Sequence, residues 1–354
     1  MKGEIYSTSK LTRGHINDTY CVDMMENGEI RSYLVQRVNH HVFKSPENIM
    51  ENVEAVTDHV RAKLVELGES DIKRKVLKIY RTLDGKSLFV DGEGNYWRVI
   101  SFVFNAKCFD DYSEESLVAI GHGFGRFLAL LSDFPGEGLH EIIKGFHDTP
   151  ARFDALFEAA ERDPLGRAAE VKEELDYLAS VRHLASRFDD LRAEGKIPLR
   201  VTHNDTKGNN IMIDSESGSP LAVIDLDTVM PGYAMNDFGD AVRYAANTAA
   251  EDEKDLSKVS LDLAKYDALA QGFLSELRGR ISDAEMENMP WGALLMTLEL
   301  TARFLKDYLE GDLYFKTSRE GHNLDRARCQ LALAKDMQAK FDRMAELTRK
   351  HAEG

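Results

Sequence analysis

Thr202-His203-Asn204-Asp205-Thr206-Lys207-Gly208-Asn209-Asn210, followed by Val223-Ile224-Asp225-Leu226-Asp227, is the most informative feature of the chain. With gaps it reads His-x-Asp-x-Lys-x-x-Asn, and about twenty residues after Asp205 a second Asp ends an apolar run. Phosphoryl transfer needs these parts: a carboxylate to orient and deprotonate a hydroxyl, a Lys near the moving phosphate, and an Asn and an Asp on magnesium. Between the motifs, Ile211-Met212-Ile213 and Leu221-Ala222-Val223-Ile224 flank Asp214-Ser215-Glu216-Ser217-Gly218-Ser219-Pro220. Two short apolar runs around a Gly- and Ser-rich link predict a hairpin. Such a hairpin brings Asn210 and Asp225 together, as two ligands of one metal must be.

The composition narrows the setting. A chain of 354 residues suits two lobes, and 43% hydrophobic with 30% charged residues is ordinary globular composition. No charged-then-apolar leader follows Met1, and no apolar run approaches the length of a membrane span. Cys21, Cys108 and Cys329 are far apart and odd in number, which points to a reduced, cytoplasmic protein. The net charge of −16 argues against a nucleic-acid partner, because phosphate backbones need a basic surface. It does not argue against ATP, which needs only a local cluster of donors.

Outward from the motif, the chain falls into two parts. Residues 1–104 read mostly as strands with one helix. Runs 19–22 and 32–38 flank an Asn27-Gly28 turn, and Ile49, Val53, Val56, Val60 and Leu64 mark a helix over 48–67 that Gly68 ends. Further strands are expected at 76–80, 87–90 and 97–103. Residues 105–354 read as helical, with amphipathic spacing at 152–160, 167–193, 260–278, 282–310 and 325–350 and a buried helix from 117 to 131. The β-like stretch 199–228 interrupts them and carries the motifs. The fold class is therefore α+β, a nucleotide-covering β-rich lobe (1–104) before a helical lobe (105–354).

Asp205 is the expected catalytic base, and Lys207 is placed to meet charge on the transferred phosphate. Asn210 and Asp225 supply the hard oxygen donors that magnesium prefers, with Asp227 a weaker candidate. His203 is read as a backbone-bonding residue of the loop. Asp237-Phe238-Gly239 spells a protein-kinase metal motif but follows Pro231-Gly232 without a preceding strand, so Asp237 and Asp240 are expected to cap the next helix and brace the catalytic loop. Near the other end, Gly14-His15-Ile16-Asn17 stands where a hairpin turn can cover phosphates. Gln36 occupies the strand-three position where protein kinases carry a phosphate-binding Lys, so either ATP is held differently or this is a crippled nucleotide-binding module. Glu299, Arg303 and Asp307 share one helix face. They form either a solvated ion-pair ladder or the wall of a polar pocket with Asp312 and Tyr314 at its rim.

These residues resemble the aminoglycoside phosphotransferase and choline kinase superfamily, through His203-Asn204-Asp205-Thr206-Lys207, Ile224-Asp225-Leu226-Asp227-Thr228 and Asp237-Phe238-Gly239-Asp240. Within it the chain is similar to the N-acetylhexosamine 1-kinase branch at Gly14-His15-Ile16-Asn17, Phe146-His147-Asp148-Thr149-Pro150 and the stretches 201–210, 224–232, 251–259 and 303–315. Against that pattern the N-terminus looks short and the loops 21–32 and 69–96 look long. The resemblance implies a bilobal protein-kinase-like fold. It implies ATP- and magnesium-dependent phosphorylation of the anomeric hydroxyl of N-acetylglucosamine or N-acetylgalactosamine. It makes Asp205 the base, Asn210 and Asp225 the magnesium ligands, and His15, Arg303 and Tyr314 the sugar-pocket lining, with Asp312 beside them. Asn17 and Gln36 are left as nucleotide contacts. The expected protein is a monomer with a small sugar substrate and no membrane partner. An enzyme for another hydroxyl substrate, an amino alcohol or aminoglycoside, and a silent nucleotide-binding regulator are the alternatives.

Overall fold

In the computed structural model, which describes residues 3–11, 16–109 and 112–353, three antiparallel strands come first: β1 (Glu4–Leu11), β2 (Asp18–Glu26) and β3 (Glu29–Val38). Asn27 and Gly28 turn β2 into β3 with φ of 53° and 86°, the left-handed pair that a two-residue hairpin requires. Helix α1 (Pro46–Glu66) follows, started by a Pro in its first turn and stopped before Gly68 at φ 68°. A short helix α2 (Ile72–Lys75) then leads to β4 (Ile79–Tyr80), β5 (Phe89–Val90), β6 (Tyr96–Ser101) and β7 (Ala106–Cys108). The sheet order is β1-β2-β3-β6-β4, with β5 on β6. On one face Val22, Met24 and Tyr33 are buried against Tyr20, Val35, Tyr80 and Val99.

These elements form one of the chain's two units, together with Asp133–Lys144 and Asn210–Pro231. The hairpin expected between the motifs is present there: strands Ile211–Asp214 and Pro220–Val223 pair antiparallel, with β7 on the outer side of the first. The Asp214 carboxylate accepts from Glu216 N at 3.0 Å and Ser217 N at 2.7 Å, and Gly218 takes φ 71°. That is the Asx-type turn chemistry the Asp-Ser-Gly composition foreshadows.

Burying Ile49, Val53, Val56, Val60 and Leu64 contributes about 1.5–3 kcal/mol for each side chain before entropy is counted. Asn52 on α1 is the polar exception, 1% exposed. It donates to His140 O at 2.8 Å and Val229 O at 2.9 Å and accepts from His140 N at 2.8 Å. Its amide thus anchors the helix to two separate loops. Asn52→Leu, which keeps the branched shape but cannot hydrogen-bond, is expected to lower unfolding free energy by on the order of 3 kcal/mol, because one buried and two partly buried backbone bonds are lost. Chemical denaturation checks this; a loss under about 0.5 kcal/mol would show that the bonds carry no net stability.

The second unit takes Phe109–Ser132, Gly145–Asn209 and Gly232–Gly354. Its helices are α3 (Glu114–Leu130), α4 (Thr149–Arg162), α5 (Lys172–Val181), α6 (Arg187–Ala193), α7 (Ala234–Ala245), α8 (Leu263–Leu277), α9 (Asp283–Glu287), α10 (Met289–Glu310), α11 (His322–Ala339) and α12 (Phe341–Glu353). The apolar periods anticipated most of these, but three long segments are broken. The 167–193 segment divides into α5 and α6, 282–310 into α9 and α10, and 325–350 into α11 and α12. Helix α10 is covered almost all round and packs against α4, α7 and α11. Its buried Thr297 and Thr301 satisfy their hydroxyls on the carbonyls of Ala293 and Thr297, at 2.7 and 2.8 Å. No helix among the described residues is long and apolar enough to cross a membrane.

Candidate active site

The strand Arg200–Thr202 delivers the loop His203–Lys207, and helix α7 holds that loop by its backbone. Asp237 accepts from His203 N at 2.7 Å and Asn204 N at 2.8 Å. Asp240, one turn on, accepts from Thr206 N at 3.1 Å, while the Thr206 hydroxyl donates to Asp237 O at 2.6 Å. Asn204 sits at φ 64°, a left-handed state that Asn tolerates better than most residues. His203 is buried edge-on against Phe124 and Phe127, and its Nδ1 accepts from Asp205 N at 3.2 Å.

The brace expected of Asp237 and Asp240 is therefore present, but they do not cap α7. Its N-cap is Tyr233, with no side-chain cap bond. Gly239 has a packing role: a Cβ there would lie 2.2 Å from Gly292 O, so the glycine lets α7 and α10 approach. Among buried carboxylates, these two are pushed apart. Burial raises Asp237 to about 6 despite its backbone donors, whereas Arg243 and Lys207 hold Asp240 below the usual range against the same burial. Lys207 Nζ lies 2.7 Å from Asp205 Oδ1. Burial lowers its pKa, but Asp205 and Asp240 together outweigh that and leave it raised, so the ammonium stays charged at neutral pH.

Of the expected substrate-pocket residues, Arg303, Asp312 and Tyr314 lie in the same unit. Glu299 is fully buried, not part of a solvated ladder. It takes His147 Nδ1 at 3.0 Å and the Thr149 hydroxyl at 2.9 Å, and the other His147 nitrogen lies 3.3 Å from Asn204 O in the catalytic loop. Burial would raise the Glu299 carboxyl, but His147 and Arg303 hold it below its ordinary value. Arg303 lies over the rings of Phe146 and Phe315, at 5.3 and 5.6 Å from their centroids. Asp307 accepts from Leu313 N, Tyr314 N and Phe315 N at 2.8–2.9 Å, and from Asn323. This carboxylate shapes the turn that carries Asp312, at φ 61°, and the exposed Tyr314. Asp312 is committed to Asn323 at 2.8 Å and faces Arg167 at 3.5 Å.

In the first unit, Ile224 N donates to Asn210 O at 2.9 Å. The hairpin thus places the backbones of Asn210 and Asp225 side by side. Asn210 is buried, and Asp225 is exposed at φ 57°, ψ 57°. Among the described residues no three His, Cys, Asp or Glu could hold a metal by themselves. Magnesium held mainly by phosphates and water needs no such cage.

Asp227 belongs to an ion pair: Arg98 Nη1 lies 2.5 Å from one oxygen and Asn17 Nδ2 donates to the other at 2.7 Å. Gln36 is register partner to both Thr19 and Arg98, donating to the first at 3.0 Å and accepting from Arg98 Nε at 2.9 Å. His15 lies outside the described residues. An apolar hollow on the opposite face of the sheet, lined by Val35, Tyr80, Leu83, Phe89, Trp97 and Val99, contains none of the expected site residues.

A family model described as phosphotransferase enzyme family matches residues 7–270. The chain belongs to that family. Among solved structures, the phosphotransferase is similar to a microcompartment-associated aminopropanol kinase at a TM-score of 0.60 and 18% identity, over 96% of this chain and 93% of that one. It is similar to a choline kinase from Cryptosporidium parvum at 0.53 and 11% identity, over 98% and 93%. An ethanolamine kinase from Plasmodium vivax matches at 0.52 and 14%, over 92% and 82%. Likeness at these identities is likeness of fold, and the fold is the bilobal protein-kinase-like one expected.

Arg98, Arg152 and the role of Asp307 in shaping its turn escaped the sequence reading of the phosphotransferase. For Arg98 the local signal was a charge inside the strand pattern Trp97-Arg98-Val99-Ile100.

Proposed function

We propose that the phosphotransferase uses ATP and magnesium to phosphorylate the anomeric hydroxyl of an N-acetylhexosamine, giving the sugar 1-phosphate and ADP. The observation that carries this reading is the charge of the expected substrate pocket. Arg303 has Arg152 as a neighbour, whose pKa burial lowers and Arg303 lowers further. Arg152 donates through Nη2 to Gly145 O and Phe146 O, while its buried Nε has no partner. The carboxylates around them, Glu299, Asp307 and Asp312, are already committed. An ammonium group would meet two like charges there. Hydroxyl and acetamido oxygens would find donors, and a sugar ring could stack on Tyr314 or Phe315.

In this reading Asp205 accepts the proton of the anomeric hydroxyl as its oxygen bonds the γ-phosphorus and the bond to ADP breaks. An anomeric hydroxyl is more acidic than an ordinary alcohol, so a carboxylate base suffices. Lys207 donates to the phosphoryl oxygens as charge moves onto them. Asn210 and Asp225, adjacent hard-oxygen donors on the hairpin, fit magnesium, which neutralises phosphate charge when bound.

The second reading, an amino-alcohol or aminoglycoside kinase, draws on the net charge of −16 and on neighbours named for aminopropanol, ethanolamine and choline. A coupled ADP-release assay over N-acetylhexosamines, amino alcohols and aminoglycosides separates the two. Turnover is expected with the hexosamines, and Arg303→Ala should raise the sugar KM by on the order of 10-fold or more with the ATP KM little changed. Turnover confined to amines would replace the first reading by the second.

A further inference from the structure

Protein kinases hold ATP phosphates with a strand-three Lys paired to a helix Glu. Here both positions are neutral in effect. Gln36 stands on the strand, and the helix that packs there, α1, brings Met50, whose sulfur lies 3.8 Å from Arg98. Of the carboxylates of α1, Glu51 is engaged with His140 and Glu54 with Arg81.

We propose that Arg98 is the phosphate-binding cation of this protein, moved one strand over from Gln36 and paired with Asp227. The inference rests on the ATP-dependent reading above and adds a nucleotide contact to it. Arg98 is 5% exposed and sits directly across from Gln36 in the β3–β6 register, on the same face of the sheet. Gln36 orients the guanidinium through Nε and Asp227 takes one terminal nitrogen. The other terminal nitrogen donates to no described residue.

Structural stability alone explains this arrangement poorly. A buried ion pair recovers little more than its own desolvation cost, and an apolar pair of similar size often serves as well. A guanidinium held by two partners with donors left over is instead the arrangement a polyphosphate needs. Asp227 lies two residues after Asp225, and Asn17 bonds its second oxygen. The pair therefore ties β6 to the expected metal loop and to the turn before β2.

Calorimetric titration of the full chain with Mg·ATP, Mg·ADP and adenosine tests this, with thermal melts as the folding control. Arg98→Gln should weaken ATP and ADP by about 10- to 100-fold while adenosine binding stays within about two-fold. Arg98→Lys should keep much of the phosphate preference. Gln36→Glu, which keeps the acceptor for Arg98 Nε but offsets the charge, should lower the ATP-to-adenosine affinity ratio as well. That variant carries the test if Arg98→Gln gives no cooperative melt. A merely structural Arg98 would move ATP and adenosine together, so an unchanged ratio in the folded variants overturns the inference. Failure of the unaltered protein to bind ATP would overturn the ATP-dependent reading itself, a distinguishable result.

Discussion

Asp205→Asn is expected to reduce kcat by on the order of 10²–10⁴-fold, the range for loss of a positioned general base. Asn is nearly isosteric and leaves the backbone bond from Asp205 N to His203 untouched. What it removes is the ability to take a proton. The stability cost should be small, because the pair with Lys207, with side chains 37% and 28% exposed, is worth no more than about 1 kcal/mol. Nucleotide affinity should persist for the same reason. Steady-state kinetics with a melt of the same preparation checks both parts. Near-normal kcat in a folded variant would move the base elsewhere.

The largest expected loss of stability comes from Asp237→Ala. This carboxylate is buried and accepts from two consecutive backbone N–H groups, those of His203 and Asn204. Removing it takes away both bonds at once, at on the order of 4 kcal/mol, and releases the loop that carries Asp205. Both unfolding free energy and kcat should fall.

The pH dependence has a definite sign. Asp237 is raised to about 6 by burial, so the folded state binds its proton more tightly than the unfolded chain does. Stability from this group is fully present below about pH 4 and declines as pH rises to 6. Above 6 the slope vanishes. Asp237→Asn does not titrate, so its stability profile should lack that segment. Urea titrations of both proteins between pH 4 and 7 read the difference; identical slopes would mean that Asp237 titrates in its ordinary range.

The parts of the site legible in the sequence were those whose chemistry is local. His203 to Asn210 and Ile224 to Asp227 lie within one hairpin's reach, so spacing alone placed Asn210 beside Asp225. Helix α1 was legible because its five apolar positions follow the helical period and Gly68 ends it. What escaped depends on register between distant segments. Arg98 meets Gln36 across 62 residues of chain and Asp227 across 129, and no local period announces either meeting. The face bearing Glu299, Arg303 and Asp307 was recognised, but spacing could not show that Glu299 and Asp307 are buried and committed to His147 and to the turn at 313–315. The short strands β4 and β5 were overestimated because apolar runs do not reveal how many residues find a partner. The breaks between α5 and α6 and between α11 and α12 carry no Pro, so amphipathic spacing ran through them.

Phosphorus NMR of a reaction containing the protein, ATP, magnesium and N-acetylglucosamine or N-acetylgalactosamine identifies the position that is phosphorylated. A new resonance coupled to the anomeric proton of the sugar is expected, growing with ADP and slowed by on the order of 10²-fold or more when Asp205→Asn is used. A phosphate coupled to any other sugar proton, or product formed only when an amino alcohol or aminoglycoside replaces the sugar, would contradict the proposed function.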